Sequence, residues 1–364
     1  MTERNTETPP LGTIYMYASG ACNLNCSHCW ISPEFVQEGR KSSLHLSIDL
    51  VRKAVSEGKP LGLHSVKLTG GEPLLNPKIR EIIQFISDEG IGVTMESNGT
   101  LVTRETAEFL AATTKFSFIS VSLDGARAKT HDDLRGVEGS FEKAVQGIRH
   151  LVEAGFKPQL ICTLHRGNIE QIREVIELAR ELGCGSVKFN HVQHTGRGMD
   201  FDDGHALGVA EIIEINRMIE EKLIPDAGIS VLPDIPVAFQ KPARFLRSSP
   251  GRCHIHNIIG LLANGDLALC GIGTSVEELL YGNLNNDSLA NIWNSSPKLQ
   301  ALRRLVPDEL EGICARCIHR RFCKGCCVAG NYNDSGKLNA PYFFCSRAEE
   351  LGLFPNSRIA IFQN

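Results

Sequence analysis

Three cysteines stand close together near the start of the chain, in Cys22-Asn-Leu-Asn-Cys26-Ser-His-Cys29-Trp30, a C-x3-C-x2-C spacing. With 13 cysteines in 364 residues, chance gives about 0.02 such triples. A reducing cytosol disfavours disulfides, so clustered thiols read as metal ligands. Three closely spaced thiolates do not complete a four-coordinate site. An iron–sulfur cube takes one ligand per iron, usually four cysteines, so three leave one iron open to another molecule. Catalytic zinc follows the same logic, with three protein ligands and a free position. The competing reading is a zinc site completed by His28, although His28 sits between two ligands with no room for a normal chelate.

A second motif, Leu68-Thr69-Gly70-Gly71-Glu72-Pro73, ends a strand-like run. Two glycines let backbone approach a ligand closely, and the neighbouring carboxylate can pair with a cation. A third group lies near the C-terminus: Cys253, Cys270, Cys314-x2-Cys317-x5-Cys323-x3-Cys327 and Cys345. The Cys314–Cys317 pair alone resembles half a zinc ribbon, but the five residues before Cys323 are too few for a ribbon loop. Cys162, on a strand-like run, and Cys184, at a helix end, read as structural thiols.

These groups need elements to position them. Strand-like runs at Thr13–Ala18, His64–Leu68, Ile91–Glu96, Phe116–Leu123, Pro158–Leu164 and Ser186–His191 alternate with helix-like ones. The helical runs are Ile48–Glu57, Ile79–Glu89, Arg104–Ala112, Phe141–Ala154, Ile169–Leu182 and Ala206–Glu221. About six βα units imply an α/β fold with a parallel sheet or barrel, short of a full eight-fold barrel. In such folds ligands collect at the C-terminal ends of strands. The first two motifs end the first and second strands. The reading divides the chain into a flexible tail at 1–12, a barrel at 13–235 and a cysteine-rich domain at 236–364. Hydrophobic residues make up 42% and charged residues 22% of the chain, enough for a sizeable core. Its net charge of −4 suggests neither nucleic acid nor an anionic membrane as partner. No apolar run is long enough to span a bilayer, and Met1–Pro10 has no apolar signal core, so a cytoplasmic location is expected.

The triad and the Gly70–Pro73 turn, in this order and separation, closely resemble the radical S-adenosylmethionine (radical SAM) superfamily over residues 13 to about 200. The resemblance implies a partial (β/α)6 TIM-like barrel. It implies a [4Fe–4S] cluster on Cys22, Cys26 and Cys29, whose open iron SAM chelates through its amino and carboxylate groups. Reduction would cleave SAM to methionine and a 5′-deoxyadenosyl radical that abstracts a substrate hydrogen. By the same resemblance Gly70, Gly71, Glu72 and Pro73 would lie at the SAM amino group, with Ser97 and Asn98 at the ribose and Trp30 near the adenine. Ser122 would be a further SAM contact. Arg135 would be the partner of the SAM carboxylate, because a guanidinium matches carboxylate geometry.

The C-terminal spacing resembles the SPASM extension, with all seven of its cysteines present over residues 250–350. It implies two auxiliary [4Fe–4S] clusters, making three in all. Cys314, Cys317, Cys323 and Cys345 would complete the outer one. Cys253, Cys270 and Cys327 would hold the inner one, which then lacks a fourth cysteine. His254 and His256 are possible ligands. Cys326 stands where the family often has glycine. It is a candidate missing ligand, a catalytic hydrogen donor or an inert neighbour.

The group's members imply a substrate. The first expectation is a precursor peptide or small protein receiving a thioether or carbon–carbon cross-link, or an inverted stereocentre. A separate peptide-recognition protein and a low-potential donor such as ferredoxin or flavodoxin would assist. The alternative is tetrapyrrole (haem or haem d1) maturation. For that reading His191-Val-Gln-His194-Thr-Gly-Arg197-Gly198 is similar to a segment of those enzymes, and Arg197 would hold a propionate or else a surface salt bridge. A sulfatase-type maturase and a non-catalytic iron–sulfur protein are weaker readings.

Overall fold

The computed structural model describes residues 8–37, 39–202, 204–241 and 254–360. Strand β1 (Thr13–Ser19) leads into a small parallel pair, β2 (Ala21–Cys22) and β3 (Glu34–Phe35). The strands β4 (Ser65–Gly70), β5 (Gly92–Ser97), β6 (Phe116–Ser122), β7 (Gln159–Leu164) and β8 (Ser186–His191) then add to β1 in chain order, all parallel. Together with β1 these are the six strands expected from the apolar pattern. Each is followed by helical crossovers: α1 (Ile48–Gly58), α2 (Ile79–Asp88), α3 (Arg104–Ala112), α4 (Ala128–Arg135), α5 (Ser140–Glu153), α6 (Ile172–Glu181) and α7 (Val209–Met218).

The local chemistry explains the elements. Ser47 caps α1 by accepting from the Leu50 N–H, and Thr103 caps α3 by accepting from the Thr106 N–H. Helix α2 presents Ile79, Ile82, Ile83 and Ile86 as one buried stripe. The parallel strands, covered by helices, bury Ile14, Met16, Val66, Leu68, Val93 and Val121.

Besides β2 and β3, four strands of the main sheet were not anticipated. β9 (Ser230–Pro233) continues the parallel sheet beyond β8. β10 (Ile258–Leu261) pairs parallel with the other edge of β1, and β11 (Asp266–Ala268) and β12 (Leu280–Asn283) follow antiparallel. The result is one open ten-stranded sheet ending in β12 and β9. The expected division near residue 235 therefore cuts the chain but not the sheet. The expected flexible tail also needs correction. Leu11 is fully buried, and the carbonyls of Pro9 and Pro10 accept from Trp293 Nε1 and Asn257 Nδ2. Residues 9–12 are thus anchored to the C-terminal part of the chain. Among the described residues no helix is long and apolar enough to cross a membrane.

Candidate active site

The C-terminal ends of the parallel strands converge on a chamber of about 260 Å³. Its wall includes Cys22, Cys26 and Cys29 from the loop after β1, and Gly70 and Gly71 at the end of β4. Ser97 and Asn98 enter from β5, Ser122 from β6, and Trp30 and Arg135 also line it. The structure thus gathers most of the sequence-predicted site residues around one space. Lys188, Asn190, His191 and Asp234 line it as well. Sequence reasoning gave Lys188, Asn190 and Asp234 no role, although Asn190 sits at the end of a strand, where such residues are expected.

The thiols are set for a positively charged partner. Burial pushes Cys22 up to about 12, with Glu72 and Cys26 adding to it, and burial also raises Cys26 against the pull of Arg135. Such thiols become thiolates only when a cation offsets the charge. Donors already point at the sulfurs: the Leu24 N–H at 3.4 Å and Asn98 Nδ2 at 3.7 Å to Cys22, and Arg135 Nη1 at 3.6 Å to Cys26. Three thiols, with donors aimed at two of the sulfurs, suit an iron–sulfur cube with one open iron.

Two glycines set the chamber floor. A Cβ on Gly71 would stand 2.0 Å from the Ala21 carbonyl oxygen, and one on Gly70, at φ +131°, 2.5 Å from that of Ser19. Both partners are backbone next to the cysteine loop. Gly71→Ala should therefore destabilise the protein by about 3 kcal/mol and lower its iron content. A denaturant midpoint and an iron assay would check both.

Glu72 and Pro73 differ from expectation, since neither lines the chamber. The Glu72 carboxylate is fully buried and accepts from the Leu74 N–H, Ser97 Oγ and the Asn98 N–H at 2.8–3.1 Å. Burial lifts its carboxyl to about 7 despite those donors. Glu72 fastens β4 to β5 and orients Ser97 and Asn98, while Pro73 opens a 3-10 turn.

Arg135 also departs from expectation. Its Nε and Nη2 reach Asp124 Oδ2 at 2.6 and 2.5 Å, and Nη1 reaches the Cys26 sulfur. All three nitrogens are engaged, so its charge is already matched. Asp124 is fully buried and also accepts from the Thr163 N–H at 2.7 Å. Burial would raise its carboxyl, but Arg135, His28 and His131 overrule that and hold it at about 2. The sequence assigns Asp124 no role.

His131 is fully buried and its Nδ1 accepts from the Asp124 N–H, so its ring is neutral with the proton on Nε2. Burial, then Arg135, lowers it from 6.5 to about 4. The unfolded chain binds this proton more readily than the folded one, so stability falls as pH drops from 6.5 to 4. The loss attributable to His131 is up to about 3 kcal/mol. His131→Asn should flatten that part of a plot of denaturation midpoint against pH.

The C-terminal thiols form a second assembly. Cys314, Cys317, Cys323 and Cys345 line one small cavity of about 20 Å³ with Tyr342, Ile313 and Phe354. The N–H groups of Tyr342 and His319 donate to Cys314 and Cys317, each at 3.4 Å. Cys270 follows β11 within electrostatic reach of Tyr17 and Tyr281. Cys327 caps the helix Val328–Ser335 by accepting from the Gly330 N–H. Cys253 lies outside the described residues. His254 is exposed, and His256 keeps a buried Nε2 without a hydrogen-bond partner. Cys326 does not line the chamber. It sits at φ +56° at the end of a left-handed run through Lys324 and Gly325, a conformation that favours glycine. Cys162 and Cys184 pack in the core.

Comparison with known proteins agrees with this architecture. Residues 16–179 match the radical SAM superfamily, and residues 253–318 match SPASM, an iron–sulfur cluster-binding domain. An AdoMet-dependent heme synthase of Methanosarcina barkeri is 30% identical over 317 residues, covering 85% of this chain and 88% of its own. The mycofactocin maturase MftC of Mycolicibacterium smegmatis is 29% identical over 344 residues, covering 88% and 79%. The crystal structure of Streptococcus suis SuiB bound to precursor peptide SuiA superposes with a TM-score of 0.72 at 18% identity. It covers 93% of this chain and 76% of that one. With a cysteine-lined chamber at the strand ends and a second cysteine assembly behind it, this chain belongs to the radical SAM superfamily, in the branch bearing a SPASM domain, and is an enzyme whose cofactors are [4Fe–4S] clusters and S-adenosylmethionine.

Proposed function

We propose that the enzyme modifies a ribosomally made peptide by abstracting a hydrogen atom in this chamber. Cys22, Cys26 and Cys29 hold the SAM-binding cluster. Cys314, Cys317, Cys323 and Cys345 hold the outer auxiliary cluster, and Cys253, Cys270 and Cys327 the inner one. When bound, the first cluster and SAM supply a carbon-centred radical. The chain's own residues bind, orient and exclude water. Gly70 and Gly71 offer bare backbone to SAM. Ser97 and Asn98, oriented by Glu72, stand beside it with Ser122 and Trp30. Arg135 acts indirectly, by holding Cys26 and Asp124.

One observation carries the peptide reading. The chamber adjoins a further cavity of about 330 Å³, with Ile31, Pro33 and Gly71 in both walls. That path runs to Glu34, which with its neighbour Phe35 is exposed. The Glu34 and Val36 N–H groups bond back to Gly20 and Cys22, so the intervening Phe35 backbone faces outward. An elongated path beside an outward-facing strand suits an extended chain, which can add to a sheet edge. A peptide-recognition protein and a ferredoxin or flavodoxin would complete the system.

The test is anaerobic co-expression with a short peptide encoded beside the gene, followed by mass spectrometry in normal and deuterated water. Loss of a hydrogen pair, or a mass unchanged in normal water but raised by deuterium uptake in deuterated water, supports the reading. Unaltered peptides despite SAM cleavage overturn it. The second reading, tetrapyrrole maturation, draws on the 30% identical heme synthase and on Arg197, which lines the chamber with no carboxylate partner among the described residues. Cleavage that modifies an iron porphyrin instead would establish it.

A further inference from the structure

Arg197 lies just beyond β8, where the chain folds back over the cysteine loop. Its backbone N–H donates to the Cys29 carbonyl at 2.9 Å and to Ser32 Oγ at 2.8 Å. Its Nε donates to the Cys26 carbonyl at 2.7 Å. The flanking glycines allow this approach. A Cβ on Gly196 would stand 2.7 Å from the Trp30 carbonyl oxygen and 2.8 Å from that of Cys29. One on Gly198 would stand 2.1 Å from the carbonyl oxygen of Gln193, which itself lines the chamber. One short segment thus touches both the chamber and the cysteine loop, at Cys26 and Cys29.

One arm of the guanidinium is uncommitted. Nη2 is buried and has no hydrogen-bond partner. Among the described residues no carboxylate pairs with Arg197. The other charges of the chamber sharpen the point. Arg135 is taken by Asp124, and Lys67 behind the wall takes Glu96. Lys188, on β8, joins Arg197 as a chamber cation with no carboxylate partner among the described residues. A buried guanidinium nitrogen in a chamber that Lys188, Glu96 and Asp234 also line fits a carboxylate, which the planar fork of arginine matches better than any point charge. A buried donor left without an acceptor is costly, so a ligand that supplies one is favoured.

We propose that Arg197 is a positioning residue that takes a carboxylate of the chamber's occupant on Nη2 while its Nε holds the Cys26 carbonyl. Occupancy is thereby transmitted to the cysteine loop. The carboxylate belongs either to the substrate or to SAM. The inference rests on the reading that Cys22, Cys26 and Cys29 hold a cluster, but not on whether the substrate is a peptide or a tetrapyrrole.

The experiment uses the anaerobically purified, cluster-loaded full chain. Straight-chain monocarboxylates from acetate to hexanoate are titrated, each against its amide, and the electron paramagnetic resonance spectrum of the reduced protein is recorded. The acids should shift the signal and the amides should not. In Arg197→Gln the half-saturating concentration should rise about tenfold or more, with partial recovery in Arg197→Lys, which keeps the charge but not the fork. The backbone bonds of residue 197 survive both substitutions, so the loop stays in place, which iron content and circular dichroism confirm. A response abolished by saturating SAM assigns the carboxylate to SAM, whereas one that persists assigns it to the substrate. Equal responses to acid and amide, no response, or an unchanged response in Arg197→Gln overturn the proposal. A wild-type protein with no cluster signal overturns instead the cluster reading beneath it.

Discussion

A Cys26→Ala protein should release no 5′-deoxyadenosine from SAM above the buffer background when reduced. The expectation starts from the loop after β1, where Cys26 is one of three chamber-lining thiols. In the proposed cluster each would supply one ligand to one iron, and a cube with only two protein ligands would no longer be held. Cys26 is also the sulfur that Arg135 Nη1 approaches, so its loss leaves that donor facing an empty space. Cys162→Ala is the contrast. Cys162 is equally buried but sits in the core as a small hydrophobe, and its loss should cost about 1 kcal/mol of packing while cleavage persists. Chromatography of the nucleoside products after dithionite reduction would decide. Full cleavage by the Cys26→Ala protein would remove the assignment of the triad.

Asp124→Ala should cost about 3–5 kcal/mol of stability, because it strands the buried Arg135 guanidinium without its counter-ion. Asp124 has no exposed surface, and its carboxylate accepts from Arg135 and from the Thr163 N–H, tying β6 to β7 and to the end of α4. Its carboxyl is held at about 2 against an ordinary 3.8, so this contribution is present above pH 4 and is lost only as pH falls toward 2. The damage should therefore be unchanged from pH 6 to pH 8. The double variant Asp124→Ala/Arg135→Met should be less destabilised than the sum of its two single variants, since no unpaired charge remains. Denaturant melts of the three proteins would measure the coupling. A single Asp124→Ala loss below about 1 kcal/mol would mean that water reaches Arg135 and replaces the carboxylate.

Much of this site is legible in the sequence because its chemistry is carried by spacing. Cys22, Cys26 and Cys29, the Gly70–Gly71 pair and the strand-end Ser97, Asn98 and Ser122 all reach the chamber. Side-chain direction is a different matter. Glu72 and Arg135 are charged residues in the expected places, yet each spends its hydrogen bonds on the protein itself, which residue type does not reveal. Helix α4 escaped notice because Ala-Lys-Thr-His-Asp-Asp-Leu-Arg buries only His131, Leu134 and Arg135, too thin a stripe to show periodicity. β9 is four residues long and ends in proline, an edge-strand signature that resembles a loop. β10 to β12 lie among the C-terminal cysteines, whose metal-binding spacing masked short apolar runs that belong to the first sheet.

The pairing of β1 with β10 bears on how the enzyme is made. β1 is clasped between β4, its near neighbour in sequence, and β10, from the far end of the chain. The cysteine loop hangs from β1, so its support is complete only after the ribosome has released most of the polypeptide. Pairings of such long sequence separation form late and slowly. Iron loading at Cys22, Cys26 and Cys29 would then follow synthesis of the C-terminal region rather than accompany emergence of the N-terminal one. The cysteine-rich region is accordingly no detachable cassette. Exchanging it between relatives at residue 235 would strip β1 of one edge, and a working chimera would need to carry β10 to β12 with the barrel they complete.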